Sequence, residues 1–137
     1  MLALRPGLAA AVSLVVDAPD TASALRSGDV PVLATPRLIA LCEEASTQAI
    51  DGHLVPGRTS VATRVQFDHL APVPVGATVT AEATLVRLQG RRLVFTISAS
   101  LRPDRADRSS SLVGAGRLTR VLVERAAFID RAAAGLS

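Results

Sequence analysis

The 137-residue sequence has no tryptophan, tyrosine or lysine, and only three phenylalanines, two histidines and one cysteine. Nucleic-acid-binding surfaces combine basic side chains with aromatic rings on which bases stack, and three phenylalanines supply few such rings. The high sequence pI of 10.9 reflects a formal net charge of only +3, because all 15 basic residues are arginines and few other groups titrate above neutrality. We therefore expect no nucleic-acid partner.

The single cysteine, Cys42, excludes an intrachain disulfide and is compatible with a reducing cytoplasm. No apolar run reaches the roughly 18 residues of a membrane-spanning helix. The stretch LAAAVSLVV at positions 8–16 has the length of a signal-peptide core, but Asp17 and Asp20 follow it before any cleavage site. We interpret it as a strand, and we expect a cytoplasmic protein with no membrane partner.

The length suits a single domain over residues 1–137, and its strongest helix signal begins at Thr35. Thr35 precedes Pro36 as an N-cap precedes the first helical residue. Apolar residues then recur at three- and four-residue steps, and Gly52 can end the helix. The recurring positions are Leu38, Leu41, Cys42, Ala45 and Ala49.

The rest of the chain is dominated by strand patterns separated by short turns, which indicate antiparallel neighbours. One helix cannot cover both faces of a five-stranded sheet, so we expect the uncovered face or an edge to meet another subunit. The predicted strands are 10–17, 59–68, 77–88, 93–101 and 112–123, with a loop or short helix at 18–32, a polar loop at 102–110 and a helix or tail at 124–134.

Four segments carry a family resemblance in their order and spacing: ATPRLIALCEEA (34–45), HLAPVPVG (69–76), VTAEATLVRLQGRRLVFTISA (79–99) and VGAGRLTRVLV (113–123). The chain resembles the fluoroacetyl-CoA thioesterase-like branch of the hotdog superfamily. The resemblance implies an α+β hotdog fold, in which an antiparallel sheet of about five strands wraps one central helix. It also implies a homodimer, possibly a tetramer, that hydrolyses acyl-CoA thioesters without a metal or any cofactor beyond the coenzyme A of its substrate.

The resemblance also implies site residues. The family's threonine before the helix falls on Thr35, its helical glutamate on Glu43, and its histidine at the start of the H-x-A-P turn on His69. A glycine that helps to bind the thioester matches Ala62. The segment 23–33 lacks the phenylalanines of the fluoroacetyl-specific member, so we expect a small or medium acyl-CoA and do not infer fluoroacetyl-CoA as the substrate.

These residue types suit thioester hydrolysis. A glutamate can activate water or attack directly, and a neutral histidine can transfer a proton near neutral pH. We expect Glu43 and His69 to take these roles and Thr35 to position the carboxylate or the acyl group. Eight residues of helix span roughly 12 Å along the axis. Thr35 must therefore fold back from a loop toward Glu43, or the site must be shared across a dimer interface.

Each candidate has a simpler interpretation. Thr35 can be only a helix cap, Glu43 a surface residue, and His69 a hydrogen-bonding group of its turn. Asp68 should point to the opposite face of its strand from His69. We interpret His53 as a loop residue and Cys42 as a core residue. Two histidines 16 positions apart, without paired carboxylates, do not predict a metal site.

Four arginines are candidates for holding the phosphates of coenzyme A: Arg91, Arg92, Arg117 and Arg120. Arginines that only keep the surface soluble are the alternative. Two other functions remain open at this point. One is a protein that binds acyl-CoA or another small ligand without catalysis, and the other is a hotdog enzyme of the enoyl-CoA hydratase type.

Overall fold

The computed structural model describes residues 3–101 and 111–136, so the predicted polar loop at 102–110 lies outside the described residues. A 3-10 turn at Ala18–Asp20 follows the first strand. The strands are β1 Ala9–Val15, β2 Arg58–His69, β3 Thr78–Gln89, β4 Arg92–Leu101 and β5 Ser111–Glu124, and the helices are α1 Ala22–Leu25, α2 Thr35–Ala49 and α3 Arg125–Ala134.

The five strands form one antiparallel sheet in the order β1-β3-β4-β5-β2. A tight turn at Gly90, which has a φ of 57°, joins β3 to β4. Among the described strands, β1 and β2 each have a single neighbour, so both are edge strands. The outer edge of β2 presents a row of backbone groups that another strand can pair with.

Helix α2 crosses one face of the sheet and packs mainly against β1 and β3. All five apolar positions of the predicted stripe are buried. They join the inward side chains of the strands, such as Leu85 and Phe95, in one core. Each fully buried leucine contributes about 1.5–3 kcal/mol, so this stripe fixes the rotation of α2 on the sheet. The predicted architecture of one central helix and about five antiparallel strands is confirmed.

The start of α2 differs from the prediction. Ala34, not Thr35, is the N-cap residue, and it makes no side-chain capping hydrogen bond. Thr35 and Pro36 are the first two helical residues, so the interpretation of Thr35 as a cap is wrong. The short helix expected within 18–32 is present as α1, and the tail forms the exposed helix α3. No helix within residues 3–101 and 111–136 is long and apolar enough to cross a membrane.

Candidate active site

His69 is the last residue of β2, and two glycines of β5 hold this end of the strand close to its neighbour. Phe67 lies opposite Gly116, and His69 lies opposite Gly114. A Cβ on Gly114 would overlap the Phe67 ring, and a Cβ on Gly116 would overlap the Gln66 carbonyl. Because alternate residues share a face, His69 projects to the same side of the sheet as Phe67, which is the side that packs on α2.

Thr35 contacts His69 at the start of α2. The Thr35 hydroxyl lies 2.8 Å from Nδ1 of His69, within hydrogen-bonding distance. The second ring nitrogen, Nε2, is buried and has no hydrogen-bond partner among the described residues. A buried polar atom without a partner typically costs about 1–3 kcal/mol, so it calls for a functional explanation. We call these two residues the Thr35–His69 pair.

The turn 70–76 holds the chain after His69 against the segment before α2. Gly76 has a φ of 95°, a conformation that glycine adopts without strain, and its N–H donates to the Val16 carbonyl at 2.8 Å. The Leu33 N–H donates to the Val73 carbonyl, also at 2.8 Å. The turn therefore presents His69 beside the chain that leads into α2.

Asp20 anchors the same segment from the other side. Its carboxylate accepts a hydrogen bond from Nε of Arg37 at 2.9 Å, and its backbone carbonyl accepts one from the Ala34 N–H at 2.9 Å. Arg37 lies in the first turn of α2, so the contact joins the helix to the 3-10 turn. Together with the turn 70–76, this contact fixes the chain on both sides of Thr35.

A cavity of about 360 Å³ lies between this segment and the turn, with Thr35 and His69 on its wall. The rest of its lining is mostly aliphatic and contains no aromatic ring. It consists of Ala22, Ser27, Gly28, Val30, Val32, Leu33, Leu70, Ala71 and Pro72. The sequence patterns did not single out these residues as site residues, because the loop conformation that gathers them has no periodic signal.

Glu43 lies in α2, two turns beyond Thr35, and does not line this cavity. It is half-buried, whereas the adjacent Glu44 is exposed. Because Thr35 is itself helical, it does not fold back from a loop toward Glu43. The eight-residue spacing therefore keeps the two side chains roughly 12 Å apart along the axis, and one chain does not bring Glu43 to the Thr35–His69 pair.

Arg120 lies beneath α2 on the inward face of β5 and is only 8% exposed. Its guanidinium donates to the Ser60 hydroxyl at 2.7 Å, to the Ser60 carbonyl at 3.0 Å and to the Ser46 hydroxyl at 3.4 Å. Burial lowers the pKa of Arg120, and the negative charge of Glu43 opposes that shift. Ala62 lies opposite Arg120 in the β2–β5 register. We call Glu43, Ala62 and Arg120 the Glu43–Arg120 group.

Cys42 lies on the buried stripe of α2 with its thiol in the core. Burial, followed by the negative charge of Glu43, raises the pKa of Cys42 to about 11. A thiol with this pKa stays protonated near neutral pH, and the thiolate is the nucleophilic form. Cys42 is therefore a core residue, as predicted, and not a nucleophile.

The other sequence candidates lie away from the Thr35–His69 pair. Arg91 lines a separate cavity beside α3, and Arg92 and Arg117 project from the outward face of the sheet. Asp68 is exposed, and Nδ1 of His53 lies 3.3 Å from a backbone carbonyl near the amino terminus. Within the described ranges, no three histidine, cysteine or carboxylate side chains lie close enough together to hold a metal ion.

Solved structures with this architecture align with nearly the whole chain. A threonine-to-serine variant of fluoroacetyl-CoA thioesterase in complex with acetyl-CoA gives a TM-score of 0.85 at 27% identity, over 98% of this chain and 100% of that one. A thioesterase superfamily member from Thermus thermophilus gives a TM-score of 0.84 at 25% identity, over 99% of this chain and 98% of that one. The fold is therefore the hotdog fold of the thioesterase superfamily.

The sequence comparison is more specific. The family model for fluoroacetyl-CoA-specific thioesterases matches residues 16–126, and the chain therefore belongs to this family. The fluoroacetyl-CoA thioesterase of Streptantibioticus cattleyicolor is 40% identical over 68 residues, which are 50% of this chain and 49% of that protein. In that alignment the chain spans about half the length of its curated relative.

Proposed function

We propose that the protein hydrolyses acyl-CoA thioesters at the cavity that contains the Thr35–His69 pair. The observation that carries the proposal is the buried Nε2 of His69, which has no partner in the described chain although its ring is held at Nδ1 by Thr35. An imidazole oriented through one nitrogen and open at the other can move a proton at a reacting group. Membership of a thioesterase family supports this reaction.

In this mechanism water attacks the thioester carbonyl carbon while a base removes its proton, and the carbon–sulfur bond then breaks. The proton passes to the departing coenzyme A thiolate, which leaves as a free thiol. His69 transfers this proton, and Thr35 holds the imidazole in orientation. Glu43 removes the proton of the attacking water. Alternatively it attacks the carbonyl itself, the carbon–sulfur bond breaks to leave a mixed anhydride, and water then hydrolyses the anhydride and restores the carboxylate. The chain's own side chains perform each of these steps, so the proposed reaction uses no metal.

Glu43 does not reach the Thr35–His69 pair within one chain, so we propose that the working unit is a homodimer that pairs the free edges of β2. In this pairing the two copies of β2 are antiparallel. The end that carries His69 therefore meets the half of the other copy that carries Ala62. This pairing would bring the Thr35–His69 pair of one protomer toward the Glu43–Arg120 group of the other. Arg120 lies on the same side of the sheet as His69, with its guanidinium buried and hydrogen-bonded to Ser60 and Ser46, and its role in holding a coenzyme A phosphate stays a prediction.

The substrate we propose is a small or medium acyl-CoA. A cavity of about 360 Å³ with an aliphatic lining suits a small or medium acyl chain, and its wall lacks phenylalanine. The curated relative is a fluoroacetyl-CoA thioesterase, but the aliphatic lining does not single out that acyl group. The role of Arg91 in holding a coenzyme A phosphate stays a prediction. Arg92 and Arg117 project from the face of the sheet opposite the Thr35–His69 pair, so we do not include them in the proposed substrate site.

A protein that binds acyl-CoA without hydrolysing it is the second candidate. The separation of Glu43 from His69 within one chain favours it, and so does the side chain of Ala62, since the family has a glycine at that position. A binder of this kind would show affinity for acyl-CoA without release of free thiol.

The experiment is thiol release from a panel of acyl-CoAs, from acetyl to long chain, with the wild type and His69→Ala side by side. We expect wild-type turnover and a loss of about 100- to 10,000-fold in kcat for the variant. His53→Ala, which changes the second histidine in a loop away from the cavity, is the matched control and should keep full activity. Thiol from Cys42 is subtracted with an enzyme-only blank. No turnover with any acyl-CoA would favour the binding protein.

A further inference from the structure

Four arginines converge on the outward face of the sheet, which is the face opposite α2. Arg64 comes from β2, Arg87 from β3, Arg92 from β4 and Arg117 from β5. They line a cavity of about 170 Å³ together with Gln66, Gln89, Val94 and Thr119. We call the four arginines and the two glutamines the arginine face. Four adjacent strands each contribute a guanidinium, so the cluster belongs to the fold and not to a single loop.

The strand register explains why the four side chains meet. Gln66 lies opposite Arg117, which makes Arg64 a diagonal neighbour of Arg117 across β2 and β5. Gln89 lies opposite Arg92, which makes Arg87 a diagonal neighbour of Arg92 across β3 and β4. Diagonal neighbours are about 7–8 Å apart, within reach of long side chains. Each diagonal pair thus holds two positive charges close together. A glutamine lies opposite one arginine of each pair and two residues along the strand from the other.

No carboxylate in the described parts of the chain forms an ion pair with any of these four arginines. The two ion pairs there join Arg37 to Asp20 and Arg58 to Glu124. Asp68, on the same face as Arg117, neither pairs with it nor lines the cavity. Like charges on one sheet face repel one another, and a bound anion would relieve that repulsion.

The arginine face is separated from the Thr35–His69 pair by the sheet itself. Arg64 and Gln66 alternate along β2 with Phe67 and His69, so the two sets point to opposite faces. If a second copy pairs with the β2 edge, a substrate held at His69 cannot pass around that edge. The arginine face and the thioester cavity would then be two separate sites, and a comparison of KM values tests whether one ligand spans both.

We propose that the arginine face binds a small molecule that carries two adjacent phosphate groups, at a site separate from the thioester cavity. The planar guanidinium forks of arginine match phosphate oxygens, and the two amides can add further hydrogen bonds. A cavity of about 170 Å³ accommodates the phosphates and leaves the rest of the ligand in solvent. Its lining has no aromatic ring on which a base could stack, so the phosphates are the part that is recognised.

Isothermal titration calorimetry at low ionic strength tests the proposal, with inorganic pyrophosphate and ADP as probes. The test variant is Arg64→Gln/Arg87→Gln, which removes one charge from each diagonal pair, and the control is Arg5→Gln/Arg125→Gln, which removes the same charge from exposed positions outside the cluster. We expect both probes to bind the wild type and the control with affinities within about twofold, and to bind the test variant at least roughly tenfold more weakly. Equal affinity for all three proteins, or no binding of pyrophosphate by the wild type, would overturn the site.

Two further measurements, of KM and of DNA binding, identify the ligand. If the site held the phosphates of the substrate itself, the test variant would raise KM for acyl-CoA but not for an acyl-pantetheine, and the separate site would be wrong. We expect KM for both substrates to stay within about twofold of wild type. Binding of a 20-base-pair DNA duplex under conditions where pyrophosphate does not bind would instead indicate a nucleic-acid surface and overturn the proposal. The calorimetry needs no turnover, so its result is independent of whether the protein is a thioesterase.

Discussion

The hydroxyl of Thr35 and Nδ1 of His69 lie 2.8 Å apart, although 34 positions separate the two residues in the sequence. One residue begins the central helix and the other ends an edge strand. The contact therefore depends on how the helix sits on the sheet. It also leaves Nε2 as the ring nitrogen without a hydrogen-bond partner among the described residues.

Thr35→Ala should lower kcat for acyl-CoA hydrolysis by about tenfold or more, because the imidazole loses the group that orients it. Thr35→Ser keeps the hydroxyl and should retain most of the activity. Since Thr35 does not cap α2, the alanine variant loses about one hydrogen bond, or roughly 1 kcal/mol of unfolding free energy, and stays folded. Equal activity of the two variants would remove the hydroxyl from the mechanism.

Periodicity predicted the elements of this fold well, since the helix stripe and the strand alternation both record which side chains face the core. It missed the partner of Thr35, because a threonine before a proline looks like a cap whenever the long-range contact is unknown. The burial of Arg120 could have been predicted from the alternation of residues in its strand. Leu118, Arg120 and Leu122 alternate along β5 and should share a face, and the two leucines mark that face as the inward one.

The cavity walls could not be predicted in the same way. Val30 lies in the segment before α2, and Leu70 lies in the turn after β2. Neither segment has a regular repeat. Hydrogen bonds between distant backbone groups, such as that from the Leu33 N–H to the Val73 carbonyl, hold those segments in place. Loop contacts of this kind depend on the whole fold and have no local sequence pattern.

Glu43→Gln should lower kcat by about 100-fold or more while the protein stays folded, because the amide keeps the shape of the side chain and removes its basic oxygen. Glu44→Gln is the matched control: the same change one residue along, at an exposed position, should leave kcat within about twofold. If Glu43→Gln retains wild-type kcat in steady-state thiol release, Glu43 is neither base nor nucleophile.

A shared site also makes two inactive variants complement each other. In a mixed dimer of His69→Ala and Glu43→Gln, one of the two sites has both an intact His69 and an intact Glu43. Random mixing makes about half of the dimers mixed, so refolding the two variants together should restore about a quarter of wild-type activity. Separately refolded samples mixed afterwards serve as the control. If co-refolding restores nothing, each site is built within one chain or depends on another base.

Gly28→Val should shorten the acyl chain that the enzyme accepts. Gly28 lines the cavity, and its φ is not positive, so a side chain causes no backbone strain. A Cβ there would lie 3.4 Å from Cβ of Ala22, an ordinary contact, and the added methyl groups would take up cavity space. We expect kcat/KM for the longest accepted acyl-CoA to fall about tenfold or more and that for acetyl-CoA to change little. An unchanged chain-length profile would show that the acyl group lies elsewhere.

Stability at alkaline pH should depend on Cys42. Burial raises the pKa of its thiol from the ordinary 9.0 to about 11 in the folded chain. Between these values the unfolded chain loses the thiol proton while the folded chain keeps it. The thiol's contribution is therefore fully present below pH 9 and is lost as the pH rises toward 11, with a total on the order of 2 kcal/mol.

The sequence makes this effect measurable, because it has no lysine or tyrosine to titrate in the same range. Urea unfolding at pH 8, 9, 10 and 11 should show the wild type losing free energy of unfolding across this interval. Cys42→Ala should be less stable at pH 8, since it leaves a small void in the core, but its stability should change much less between pH 9 and 11. Parallel pH curves for the two proteins would mean that the thiol ionises as readily in the folded chain as in the unfolded one.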